Sequence, residues 1–247
     1  MIFFNKKTIL RDLIPDNHID FHSHILFGID DGAKTFEDSL MLTRALMDFG
    51  ITEIITTPHI IQHIWENNSS NILERKNEVS ALLREQGIAI PFKAAAEYLM
   101  DDNFVKLFKS EPLLTLKGNY VLVEMSYINA PIQLYDILFD LQVAGYKPVL
   151  AHPERYLFYH NNFGEYQKLK KAGCLFQLNL LSVAGYYGQG VFDAAKKLLD
   201  LGMIDYVSSD AHHKKHIEAF NGKVPLKDLK PLHEAIANNQ FFREDQV

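Results

Sequence analysis

The sequence predicts an α/β fold in which seven parallel strands alternate with helices and close into a TIM-like (β/α)7 barrel, and three observations predict it. Short β-branched runs alternate with amphipathic segments, glycines fall between the end of a segment and the next run, and almost every run ends in a histidine or a carboxylate. Strands alternating with helices imply a parallel sheet, either open and doubly wound or closed into a barrel. Neither G-x-G-x-x-G nor G-x4-G-K-[ST] occurs, so the nucleotide-binding forms of the open sheet lose support and the barrel gains.

The expected strands are His18–His22, Glu53–Thr57, Phe92–Ala96, Tyr120–Met125, Pro148–Ala151, Leu175–Asn179 and Tyr206–Ser209. After the first strand, Thr35 and Asp38 resemble a capping box opening a helix over Phe36–Phe49, whose Leu40, Leu42, Ala45, Leu46 and Phe49 form an apolar stripe for the core. Pro131 suits a first helical position. Gly50, Gly87, Gly145, Gly173 and Gly202 stand where helices should stop. Residues 1–17 read as an N-terminal extension to one domain, 18–247, a size that α/β barrels reach undivided.

A composition of 47% hydrophobic and 23% charged residues matches a packed globular chain. The net charge of -6 argues against nucleic acid as a partner, because sequence-independent binding needs clustered Lys and Arg. Arg11 and Asp12 interrupt the N-terminal apolar stretch, and no other apolar run approaches the roughly 20 residues that span a bilayer. No membrane insertion and a cytoplasmic location are therefore expected. The one cysteine, Cys174, permits no intrachain disulfide, and Leu180 stands where a cysteine-dependent phosphatase carries its arginine. Its setting, CLFQLNL, reads as a buried strand with a packing thiol.

The chemistry gathers at the strand ends, which carry His22 and His24, His59, Glu97, Glu124, His152, and Asp210 with His212. In a β/α barrel these ends converge on one face. Alternation along a strand puts His22 and His24 on the same side, where two imidazoles can bind one ion. Glu124 interrupts YVLVEM and Asp210 closes YVSSD; burying such carboxylates unpaired costs several kcal/mol, a cost that a cation removes. Tyr98, Tyr127, Tyr156, Tyr186 and Tyr187 also fall near strand ends, as packing or as a stacking surface for an aryl group. Among the remaining histidines His63 is expected nearest the mouth, while His18, His160, His213, His216 and His233 receive no role.

The runs DFHSHILFGIDDG (Asp20–Gly32), TTPH (Thr56–His59), AAAE (Ala94–Glu97), VEMS (Val123–Ser126), AHPERY (Ala151–Tyr156) and SDAH (Ser209–His212) resemble the PHP-type tyrosine-protein phosphatases of bacterial capsule and exopolysaccharide loci. The resemblance implies a distorted (β/α)7 barrel of the PHP type and a site for three divalent ions, Mn²⁺ in the first place, with Zn²⁺ or Fe²⁺ as alternatives. The ligands it implies are His22, His24, Asp31, His59, Glu97, Glu124, His152, Asp210 and His212. Arg155 matches the arginine that holds substrate phosphate, and Asp31 and His212 are expected to share in catalysis. Where some members carry a second arginine, HHKKHIEAF offers Lys214, Lys215 and His216. The implied substrate is phosphotyrosine on the tail of an autophosphorylating bacterial tyrosine kinase that regulates polysaccharide synthesis.

Charge supports that reading. Asp31, Glu97, Glu124 and Asp210 carry about -4 when ionised, so two divalent ions leave the site near zero and three near +2; the second sum attracts a phosphate dianion. A metal-bridging water that loses its proton near neutral pH would attack phosphorus in line, without a covalent enzyme intermediate. Tyrosinate, with a pKa near 10, leaves more readily than an alkoxide. The competing readings are another PHP phosphoesterase, either a histidinol-phosphate phosphatase or a nuclease, and a non-catalytic regulatory barrel that binds metal.

Overall fold

The computed structural model describes residues 8–244; the first seven residues of the expected extension and the last three of the expected domain lie outside them. Nine parallel strand segments surround the axis: β1 (His18–Asp20), β2 (Ile51–Thr56), β3 (His59–Ile60), β4 (Phe92–Ala94), β5 (Glu97–Leu99), β6 (Tyr120–Glu124), β7 (Lys147–Ala151), β8 (Leu175–Asn179) and β9 (Tyr206–Ser208). They pair as β1-β2-β4 and as β3-β5-β6-β7-β8-β9. The expected second and third strands stop at Thr56 and Ala94, and each is followed, after a break, by a further short segment, β3 and β5. Pro58 stands at the first break and has no N–H for the ladder, so β2 cannot run on into β3. The halves remain in register, because Thr57 N–H donates to Ser23 O at 2.8 Å and Glu97 N–H to Pro58 O at 3.1 Å.

Side chains, more than backbone, close the barrel between β9 and β1. Ser208 Oγ accepts from the N–H groups of Phe21 (3.2 Å) and His22 (2.9 Å). The buried Asp20 carboxylate accepts from Ser208 Oγ at 2.6 Å, Ser209 N–H at 2.8 Å and Ser209 Oγ at 2.7 Å. Asp210 N–H then donates to His22 O at 2.8 Å and His24 N–H to Ala211 O at 2.9 Å. The first strand consequently ends at Asp20 rather than at the expected His22, and irregular backbone carries both histidines.

Ile19, Phe21, Ile55, Leu122, Val149 and Tyr206 pack together from five strands or their ends, which places this cluster in the barrel interior; Phe242 stoppers it, 4.3 Å from Phe21 between ring centroids. Helices α1 (Phe36–Asp48), α2 (Ser69–Glu85), α3 (Asp102–Ser110), α4 (Leu134–Val143), α5 (Gly164–Lys171), α6 (Gln189–Asp200), α7 (Lys214–Ala219) and α8 (Lys230–Asn238) bury one face each against the outside of the sheet or its flanks. The capping box on α1 is present, with Asp38 N–H on Thr35 Oγ1 and Thr35 N–H on Asp38 Oδ2. Leu42 and Leu46 of its stripe are fully buried. Pro131 is not a first helical residue: α4 begins at Leu134, whose N–H donates to Pro131 O at 3.2 Å. The five expected helix-stop glycines all have positive φ; at Gly50 (φ +93°) a Cβ would also meet Pro15 O at 3.0 Å.

The described part of the N-terminal segment is packed. Leu10 N–H donates to Gly222 O and Val224 N–H to Thr8 O, both at 2.9 Å, and Leu10, Leu13 and Ile14 join the core beside α1. Cys174 is buried just before β8, and burial pushes its thiol up to about 12, which fits a packing role. Among the described residues no helix is long and apolar enough to cross a membrane.

Candidate metal centre

The C-terminal strand ends bring all nine side chains expected as ligands into one cluster. Its ligand atoms form four overlapping groups, each within 4.8 Å: His24, Asp31, His59 and His212; His22, Glu97 and His152; His22, His24 and Asp210; and His59, Glu97 and Glu124. Glu97 lies at the centre. Its Oε2 is 3.2 Å from His22 Nε2 and 3.2 Å from His59 Nδ1, and its Oε1 is 3.0 Å from His152 Nε2. Asp210 Oδ1 approaches His22 Nε2 at 3.2 Å and His24 Nε2 at 3.4 Å. Glu124 Oε1 meets His59 Nδ1 at 2.9 Å, and Asp31, half exposed at the lip, stands 3.4 Å from both His59 Nε2 and His212 Nε2.

Local backbone explains how short segments aim these groups. Gly32 folds back on His24 so closely that a Cβ there would lie 2.1 Å from His24 O. That return leaves Asp30 beneath His24, with Oδ2 2.8 Å from Nδ1 and Oδ1 accepting from Gly32 N–H at 2.9 Å, while Asp31 reaches the lip. His152 (φ 35°) and Asp210 (φ 48°) hold left-handed backbone, a strain of about 1–3 kcal/mol each that is tolerated where it aims a functional side chain.

Outer contacts fix the imidazoles. Gln177 Nε2 donates to Leu178 O at 2.8 Å, so its Oε1 must face His22 Nδ1, also at 2.8 Å. An oxygen there accepts only, which places the proton on Nδ1 and leaves Nε2 for a cation. His212 Nδ1 likewise lies 2.8 Å from Asp210 O.

The electrostatics are those of mutually compensating charges. Burial works against the charged form of His22, yet Glu97 and Asp210 outweigh it and push the imidazole up to about 10. Burial likewise opposes ionisation of Glu97 and Asp210, but the histidines around them hold both well below the carboxylate range. Glu124 goes the other way, raised by burial and by Glu97. Burial pushes His152 down to about 4, keeping it a neutral donor of a lone pair. His59 Nδ1 and Asp210 Oδ1 have no hydrogen-bond partner despite these short approaches. A set of imidazoles and carboxylates around orphaned buried atoms fits divalent cations, which would take the place of the protons.

A cavity of about 260 Å³ opens onto the cluster, lined by Asp31, His59, Glu97, Tyr127, His152, Arg155, Asp210, His212, His213 and His216. Larger clefts of about 370 and 480 Å³ lie beside it but hold none of the nine residues, so chemistry rather than size marks the site. Arg155 projects at the lip, donating from Nη1 to Asp210 Oδ2 at 2.9 Å, with its guanidinium 4.8 Å from the Tyr127 ring and 4.3 Å from the Tyr187 ring.

Some expectations change. His63 is exposed beside Glu66 and does not line the cavity; His213 and His216, given no role from sequence, do. The turn at Ile61–Trp65 carries His63 outward. Lys214 pairs with Glu218 on an exposed face, and neither it nor Lys215 lines the cavity. Of the five tyrosines, Tyr98 and Tyr156 are core, Tyr186 is exposed and meets His216 edge-on, and Tyr127 and Tyr187 flank Arg155. Sequence reasoning missed Asp30, Gln177, Asn179 and Glu154. Gln177 and Asn179 interrupt an apolar strand as Glu124 does, so the same rule would have found them.

The CpsB/CapC family of capsular polysaccharide synthesis matches residues 18–219. The tyrosine-protein phosphatase YwqE of Bacillus subtilis is 31% identical over 198 residues, covering 80% of this chain and 78% of that protein. Crystal structures of YwqE from Bacillus subtilis and CpsB from Streptococcus pneumoniae, described as unique metal-dependent tyrosine phosphatases, include one that superposes with a TM-score of 0.76 at 28% identity, over 92% of this chain and 88% of that one. Histidinol phosphate phosphatase from Lactococcus lactis shares the fold, with a TM-score of 0.51 at 13% identity over 92% and 94%. A match running from the first strand through α7, across every element that feeds the cluster, places this chain in the CpsB/CapC family of capsular polysaccharide synthesis proteins.

Proposed function

We propose that this chain is a metal-dependent protein-tyrosine phosphatase that hydrolyses phosphotyrosine on a protein substrate. The observation that carries the reading is the convergence of nine imidazoles and carboxylates beneath an arginine at the lip of a cavity. Relatives described as metal-dependent tyrosine phosphatases support it. Divalent ions would be held by His22, His24, Asp31, His59, Glu97, Glu124, His152, Asp210 and His212; we assign three, because three divalent charges over four carboxylates favour a phosphate dianion, and Mn²⁺ because it suits this mixed nitrogen and oxygen set. When bound, such ions supply Lewis acidity to phosphoryl oxygens and acidify water into a nucleophile near neutral pH.

The chain's own residues do the rest. Arg155 offers a fork of donors to the non-bridging oxygens, held in place by Asp210 and by two tyrosine rings. Asp31 and His212 stand at the same lip and share in catalysis there. The Tyr127 ring, stacked on His152 and on Arg155, lines the cavity where the aryl group of the substrate would lie. We further propose that the substrate is the tyrosine-bearing tail of an autophosphorylating kinase governing capsule or exopolysaccharide synthesis, and that the reaction takes place in the cytoplasm.

The test is elemental analysis of the purified chain together with initial rates on a phosphotyrosine peptide, histidinol phosphate and single-stranded DNA, with Mn²⁺ and after chelation. Metal-dependent preference for the phosphopeptide is expected. Preference for either other substrate overturns the tyrosine assignment, and a folded chain that shows no turnover after Mn²⁺ is added points to a regulatory barrel.

A further inference from the structure

Glu154 is a buried carboxylate between His152 and Arg155 that the proposed chemistry does not use. Its Oε1 accepts from Asn179 N–H at 3.0 Å and from Ser182 Oγ at 2.7 Å, tying the end of β7 to the end of β8. Its Oε2 has no hydrogen-bond partner. An apolar side chain here would leave those two buried donors without an acceptor, so the carboxylate holds the two strand ends in a fixed relation.

What it touches leads back to its neighbour. Asn179, with Oδ1 occupied by Leu181 N–H, donates from Nδ2 to Asp210 Oδ2 at 2.9 Å and to Tyr187 Oη at 3.0 Å. Arg155 donates to that same Asp210 oxygen at 2.9 Å and lies against that same Tyr187 ring. The turn itself is pinned from outside by His160 Nε2 on Glu154 O at 2.7 Å and Tyr166 Oη on Pro153 O at 3.1 Å. Glu154, Asn179, Asp210 and Arg155 therefore form a closed ring, in which one end of a dipeptide braces the groups that orient the other.

We propose that Glu154 is the positioning residue of the phosphate clamp, setting the Arg155 guanidinium through Asn179, Asp210 and Tyr187. The inference rests on the proposed phosphatase reading for its kinetic consequence, though not for the geometry. Removing the acceptor lets Asn179 and its two contacts shift. Arg155 then meets phosphate in many orientations, and misplacement of about 1 Å is enough to lower turnover by roughly a hundredfold.

The experiment compares Glu154→Leu, Glu154→Gln, Arg155→Ala and the Glu154→Leu/Arg155→Ala double variant in the Mn²⁺-loaded protein. Readouts are inhibition by inorganic phosphate, kcat and KM on a phosphotyrosine peptide, and bound metal. Glu154→Leu is expected to weaken phosphate inhibition and lower kcat/KM by roughly ten- to hundredfold with metal content unchanged. Glu154→Gln keeps the acceptor and restores most of the activity. The Leu substitution costs nothing further once Arg155 is gone, because the two act as one unit. Losses that multiply in the double variant, or wild-type phosphate inhibition in Glu154→Leu, overturn the inference. If Glu154→Leu does not fold, Ser182→Ala, which deletes one of the two donors to Oε1, enters the same cycle with the same expectations. A wild-type chain that hydrolyses no aryl phosphate removes the phosphatase reading instead; Arg155 placement is then read from its rate of modification by phenylglyoxal. A faster rate in Glu154→Leu or Ser182→Ala supports the positioning role, and an unchanged rate overturns it.

Discussion

Arg155 and Asp210 are joined by a hydrogen bond of 2.9 Å from Nη1 to Oδ2, so the lip arginine is tethered to a carboxylate whose other oxygen faces two imidazoles of the cluster. Burial opposes the charge on Asp210, and His22 and His212 more than compensate, leaving an anion for Arg155 to hold. Anion binding and the candidate metal cluster are thus mechanically coupled through one side chain.

From that coupling, Arg155→Ala should lower kcat/KM on a phosphotyrosine peptide by roughly a hundredfold or more, the usual cost of one preorganised contact to developing phosphoryl charge. Arg155→Lys should recover little, since an ammonium lacks the planar fork and stacks less well on Tyr127 and Tyr187. Steady-state kinetics decide it, and unchanged turnover in Arg155→Ala removes the residue from the site.

Gln177 controls which nitrogen of His22 carries the proton. Gln177→Leu removes that acceptor while keeping the bulk, and affinity for divalent metal should drop on the order of 10–100-fold, as outer contacts of ligand histidines commonly contribute. Competition titration against a fluorescent chelator measures it; equal affinity would mean His22 is oriented by packing alone.

Gly32→Ala puts a Cβ 2.1 Å from His24 O and 2.4 Å from His24 Cβ. Either His24 moves or the Ile29–Gly32 return opens. We expect a loss of about 1–3 kcal/mol or more in urea unfolding, with reduced metal stoichiometry. Wild-type stability and metal content together would show that the return is pliable.

His18 sits buried at the other end of the barrel, and burial followed by the nearby Arg243 pushes it down to about 4 from an ordinary value of 6.5. The folded state therefore refuses a proton that the unfolded chain accepts. Its stability is whole above about pH 6.5, declines as pH falls from there to about 4, and then levels off. The contribution is about 3 kcal/mol across that window. In metal-free protein, urea unfolding at several pH values should show a flatter acid limb for His18→Leu than for wild type, and parallel limbs would remove His18 as a source.

Much of this architecture was legible in the chain because its signals are local. β-branched runs, a capping box at Thr35 and Asp38, and glycines at helix ends mark elements by short-range periodicity and sterics, and barrel closure then brings their ends together whatever the loops do. That suffices to name His22, Glu97, His152 and Asp210 as neighbours. It does not say that Pro58 splits a strand, that His63 turns outward while His213 and His216 turn in, or that Asp30 lies under His24 while its neighbour Asp31 reaches the lip. Those depend on contacts between residues far apart in the chain, such as Gln177 on His22 and Asn179 on Asp210, whose partners are chosen only when the sheet has closed and each buried polar atom must find what space allows. Residue type and order fixed which groups could gather; the closed barrel decided which atom of each faces the centre.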